Sequence, residues 1–82
     1  MEHFSNQIET DQGLLNFYFN QESKSLYYVS VVDKNRKSHI FNMGKISYTW
    51  AVKTDEDCCA EWIQQLEDLL SQEIIAYEHS KN

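Results

Sequence analysis

Cys58 and Cys59 are the only cysteines in the chain, and they are adjacent. A bridge between sequence neighbours is strained, so no disulfide framework is expected and a reducing compartment fits. Both fall in the first turns of an expected helix, where the dipole lowers a thiol pKa and would favour nucleophilic or redox chemistry. Asp55, Glu56 and Asp57 oppose that shift, which leaves Cys59 as a structural residue and Cys58 as an incidental one. His3, His39 and His79 fall in three separate elements, with no cysteine or carboxylate at metal-ligand spacing. Neither a metal site nor a cofactor is expected. Nothing resembles a nucleophile elbow, and the paired carboxylates of the C-terminal segment belong to an exposed helix face. No catalytic residue is assigned, and the reading is non-enzymatic.

Two charge clusters are the better candidates for recognition. Up to Lys53, five acids face six bases; from Thr54 onward eight acids face Lys81 alone. The acidity is therefore concentrated in one segment, where Asp57, Glu61 and Asp68 are candidates for docking a basic protein partner. The same charge repels nucleic acid, so none is expected as a ligand. Lys34, Arg36 and Lys37 form a small basic turn that, with Lys45, is the alternative: a site for an anionic ligand or peptide. Phe17, Tyr18, Tyr27, Tyr28, Tyr48 and Trp50 could form a base-stacking sheet face only with accompanying bases, which are few here. A packed core plus a partly exposed tyrosine face is the reading preferred.

The elements that must position these residues follow from periodicity. Residues 1–12 offer only Phe4 and Ile8 as anchors and read as a mobile arm or a short edge element that ends at Gly13, with no firm assignment between the two. Leu14 to Phe19 reads as a strand, with Leu15, Phe17 and Phe19 on one face. Asn20 to Lys24 connects it to a second strand, Ser25 to Val32, with Tyr27, Val29 and Val31 on one face. Asp33 to Arg36 is a tight polar turn. A short third strand spans Lys37 to Asn42, and Asn42-Met43-Gly44-Lys45 reads as the next turn. Ile46 to Lys53 then alternates, with Ile46, Tyr48, Trp50 and Val52 expected inward. At Thr54, an N-cap candidate, the period changes from two to 3.6. Cys59, Trp62, Ile63, Leu66, Leu69, Leu70, Ile74 and Tyr77 form the apolar stripe of one continuous helix over 55–78, with Glu61, Gln64, Asp68 and Gln72 facing away.

The expected fold is α+β, a four-stranded antiparallel meander (14–53) with one long C-terminal helix packed on the sheet, in a single domain. Such a helix outruns a strand of ordinary length, so Ile74, Ile75 and Tyr77 need further cover. Either a second subunit, making a homodimer through the helix, or the arm carrying Phe4 and Ile8 would supply it.

Tyr48-Thr49-Trp50-Ala51-Val52, the junction Lys53-Thr54-Asp55-Glu56-Asp57, and Glu61-Trp62-Ile63-Gln64-Gln65-Leu66 together resemble the last strand and C-terminal helix of a pleckstrin-homology domain. The resemblance covers about residues 46–70. It implies that Trp62 and Leu66 plug the end of a barrel. The Asn20 to Lys24 turn has one lysine, so inositol-phosphate binding is not carried over.

Composition sets the outer bounds. The 82 residues are 41% hydrophobic and 13% aromatic, with 2 Gly, no Pro and a formal net charge of -6. That profile excludes disordered, collagenous and low-complexity chains. The apolar runs are too short for a membrane span, and the N-terminus has no signal-like core, so a cytoplasmic protein is expected. The function expected is that of a small interaction or regulatory protein, of adaptor, inhibitor or immunity type. It would bind a protein partner through its acidic helix face or its open sheet.

Overall fold

Side-chain alternation begins well before Gly13, and the backbone follows it. In the computed structural model, which describes residues 2–53 and 60–80, five antiparallel strands lie in the order β1-β2-β3-β4-β5. They are β1 (His3–Thr10), β2 (Gly13–Ser23), β3 (Leu26–Val32), β4 (Ser38–Ile46) and β5 (Thr49–Val52). Two helices follow, α1 (Glu61–Gln64) and α2 (Glu67–Ser80). The expected α+β class and antiparallel meander are present. The strand count is five rather than four, because the stretch left open between an arm and a short edge element is an eight-residue edge strand in unbroken register with β2, from His3 opposite Asn20 to Thr10 opposite Gly13.

Why the sequence leaves that stretch without a firm assignment is visible in its burial. Only Ile8 is fully buried and Phe4 half-buried, while Asn6, on the same face, bonds the Glu73 carboxylate of α2 from its side-chain amide. A polar residue at an inward position breaks the apolar alternation that marks a strand. At the β1-β2 turn Gly13 takes φ 98°, a conformation that favours glycine. The Thr10 hydroxyl donates to the Gly13 carbonyl at 2.8 Å and accepts from the Gln12 N–H at 3.0 Å.

The inward faces of β2 and β3 agree with the sequence: Phe17, Phe19, Tyr27, Val29 and Val31 are buried. β2 runs on through the expected connection to Ser23, with a register irregularity between Gln21 and Ser23 that leaves Lys24 and Ser25 as the loop. β4 differs more. It passes straight through Asn42-Met43-Gly44-Lys45, the expected turn, and Met43 is buried on the core face. Gly44 is a mid-strand residue whose missing side chain leaves room for the Lys53 side chain to lie across it. The real turn is Ser47-Tyr48, between the paired residues Ile46 and Thr49. Ile46 and Tyr48, expected inward, are 61% and 88% exposed because they flank and form that turn; Trp50 and Val52 are buried as expected.

The continuous helix is also revised. Leu66 N–H bonds back to the Ile63 carbonyl, the tighter three-residue spacing, and a fresh ladder begins with Leu70 N–H to Leu66. Gln65 and Leu66 thus separate α1 from α2. Ile63, Leu70 and Ile74 are buried, while Leu69, expected on the apolar stripe, faces outward. Glu61, Gln64, Asp68 and Gln72 are exposed as expected. Thr54, the acids at 55–57 and both cysteines lie outside the described residues.

Helix α2 crosses the inner face of the sheet from one edge strand to the other. At β5 the Ser71 hydroxyl accepts from Trp50 N–H at 2.9 Å, and the Glu67 carboxylate accepts from Val52 N–H at 2.8 Å. At β1, Tyr77 stacks on Phe4 with centroids 4.1 Å apart, and Phe4 in turn stacks on Phe19 at 4.4 Å. For one helix to reach both edges, the sheet must curl around it, as strand twist favours. The helix end that needed cover has it within the chain, from Phe4. No helix among the described residues is long and apolar enough to cross a membrane.

Candidate functional site

The basic candidates do not converge. Lys34, Arg36 and Lys37 sit on the β3-β4 turn, whereas Lys45 lies near the far end of the nine-residue strand β4. At about 3.3 Å per residue, eight residues separate Lys37 from Lys45 by roughly 26 Å. At the turn itself the central group is a carboxylate. One oxygen of Asp33 accepts from Asn35 N–H at 2.8 Å and Lys37 N–H at 2.9 Å; the other takes a 2.9 Å bond from His39 Nε2. The bond from His39, then the backbone donors, hold the Asp33 carboxyl below the ordinary carboxylate range. Arg36 is fixed at φ 65°, with its N–H on the Asp33 carbonyl at 3.0 Å. These bonds are those of a turn organising itself around Asp33. Lys45 instead lies over the Trp50 ring, 5.9 Å from its centroid.

The acidic helix face is thinner than the count of acids implies. Glu67 caps β5, Glu73 accepts from Asn6, and Glu78 accepts from the Tyr27 hydroxyl at 3.1 Å. Burial first, and the Glu78 charge second, push the Tyr27 phenol above its ordinary range, so it stays a neutral donor. Glu61 and Asp68 remain exposed at the starts of α1 and α2. Asp57 lies outside the described residues.

Among the described residues, no three His, Cys, Asp or Glu side chains gather as a metal site. His39 is paired with Asp33 and packs edge-on against Trp62, ring centroids 5.4 Å apart. Trp62 is half-buried at the end of the sheet, and Leu66 packs partly buried against the core.

The surface that sequence reasoning named only as an open sheet has a definite composition. With α2 on one face, the other face of the three central strands is bare among the described residues. The register places Tyr18, Ser30 and Ile40 in one cross-strand row and Asn20, Tyr28 and Asn42 in the next. Asn16, Val32 and Ser38 make up a third, since Phe17 faces Val31 and Val32 faces Ser38. None of these positions carries a formal charge, in a chain that is 24% charged. Tyr18, Tyr28, Val32 and Ile40 are exposed, Ile40 to 76%. Alternation in Tyr18, Tyr28 and Val32 was the signal that located part of this face. Ile40 falls in the expected third strand but receives no face from the sequence, because Ile40 and Phe41 are adjacent and both apolar.

No family model, curated protein or solved structure matches the chain.

Proposed function

We propose that the protein is a small non-enzymatic interaction module that binds a protein partner through the bare face of its sheet, centred on Tyr18, Tyr28, Val32 and Ile40. The observation that carries this reading is the absence of charge from the nine positions of the three cross-strand rows on β2, β3 and β4. Protein interfaces are depleted in charge at their cores and enriched in tyrosine, and such a face meets an apolar, neutral-polar patch rather than a basic one. The exposed Tyr18, Tyr28, Val32 and Ile40 are interleaved with neutral serines and asparagines, the mixed composition of an interaction surface. The exposed pair Glu61 and Asp68 then belongs to the rim or to solvent, where charge affects association rate more than affinity.

The experiment compares co-purification of the tagged wild type with Ile40→Lys, Tyr28→Lys and the double variant Glu61→Lys/Asp68→Lys, each checked for folding by circular dichroism. A stoichiometric protein that is lost with Ile40→Lys and Tyr28→Lys, yet kept with the acid reversal and at raised salt, supports the sheet face. Loss through the acid reversal and salt alone would move the site to the acidic helix face. Retention in all three variants would overturn both.

A further inference from the structure

The two edges of the sheet are treated differently. At β5, the free N–H groups of Trp50 and Val52 are taken by Ser71 and Glu67 of α2. At β1, the hydrogen bond from Gln21 N–H to the Glu2 carbonyl fixes which residues face β2. Antiparallel pairs alternate, so Phe4, Asn6 and Ile8 exchange bonds with β2, and the backbone groups of His3, Ser5, Gln7 and Glu9 point to the free edge. Among the described residues β1 pairs with β2 alone. It has no lysine, no proline and no register irregularity, the usual devices that stop an edge from pairing.

We propose that β1 pairs with β1 of a second copy of this chain, antiparallel about a twofold axis, joining two sheets into one. The side chains select one register. Only residues whose backbone faces the edge can exchange bonds, so odd positions must oppose odd ones. With Asn6 opposite the partner's Asn6, His3 meets the partner's Glu9, Ser5 meets the partner's Gln7, and Phe4 meets the partner's Ile8. Every pair is then apolar with apolar, polar with polar, or base with acid, and each occurs twice by symmetry except the Asn6 pair on the axis. Shifting by two in one direction sets Phe4 against the partner's Asn6; in the other it sets Asn6 against the partner's Ile8. Both mismatch the inner face. In the selected register four pairs, each exchanging two bonds, give about eight backbone hydrogen bonds. This inference does not rest on the partner-binding face, since β1 contributes none of the three rows described there.

Sedimentation over about 1 µM to about 1 mM reads the equilibrium directly. The wild type is expected to form a dimer. Ser5→Pro removes an N–H that β2 does not use, and should weaken the dimer about ten- to a hundredfold, since two donors per dimer are lost. His3→Glu, which sets two acids opposite each other, should also weaken it, and adding Glu9→Lys in the same chain should restore it. A wild type that stays monomeric throughout would overturn the proposal. So would a dimer indifferent to both Ser5→Pro and His3→Glu in folded protein, which would place the contact elsewhere. Restoration by the charge swap is the outcome that identifies the register.

Discussion

Tyr27 is a buried phenol whose single polar atom reaches a carboxylate, and two consequences follow from that one bond. Tyr27→Phe removes the hydroxyl but leaves Glu78 half-buried with access to water, so the cost should be about 0.5–1.5 kcal/mol, read by denaturant unfolding. The second is alkaline. The folded phenol keeps its proton above the ordinary value of 10.0, while the unfolded one releases it. Stability contributed by Tyr27 is therefore full below pH 10 and falls as pH rises past it. Tyr27→Phe should flatten that fall. Asp33 runs in the opposite sense. Its carboxyl is held below 3.8 by His39 and the turn amides, so its contribution is full above that value and is lost as pH drops through the lowered one. Carboxyl NMR shifts should place the Asp33 midpoint below 3.8, and His39→Ala should move it upward. The Tyr27 partnership could not be read from sequence, because Tyr27 and Glu78 lie 51 residues apart and are joined only by the crossing of α2.

At the scale of elements, strands were readable wherever one face is fully apolar. β2 and β3 present Phe17, Phe19, Tyr27, Val29 and Val31 to the core without interruption. β1 spends an inward position on Asn6, which only the presence of Glu73 explains. The β4-β5 turn misled for a related reason. Asn42-Met43-Gly44-Lys45 has turn chemistry but serves as strand, while Ser47-Tyr48 lacks it and turns. Ser47 sits at φ 59° and is the first of two loop residues between the paired Ile46 and Thr49, the position glycine takes in type II′ hairpins. Ser47→Gly should therefore stabilise the protein, by up to about 1 kcal/mol after the entropy of the unfolded glycine is subtracted. The break at Gln65 and Leu66 had no Gly or Pro to announce it. Ser71 supplies the sharper test: it is 5% exposed, and its hydroxyl accepts from the Trp50 N–H. Ser71→Ala should cost about 1–3 kcal/mol by leaving that donor buried and unpaired, and hydrogen exchange at Trp50 should accelerate. The bare face of the sheet was readable as alternation. Its freedom from charge becomes apparent only with the pairing register, which sets Ser38, Ile40 and Asn42 beside Val32, Ser30 and Tyr28.

For the molecule as a whole, the meander is built from neighbours, yet it is closed by partners far apart in sequence. Asn6 to Glu73 spans 67 residues and Glu2 to Tyr77 spans 75. Ile63, Leu70 and Ile74 are the only fully buried apolar side chains that the helices bring to the sheet. A chain ending at Lys53 retains every strand but leaves Phe17, Phe19, Val29 and Met43 without a lid, and should collect in the insoluble fraction on expression. The same geometry bears on synthesis. A ribosome delivers the five strands first, and each hairpin can form as it emerges, because its pairing is local. The edge of β5 stays unguarded and the stack of Phe4 on Phe19 stays open to water until α2 has cleared the exit tunnel. Nascent chains are therefore most exposed to chaperones and to one another during the interval between completing β5 and releasing Tyr77.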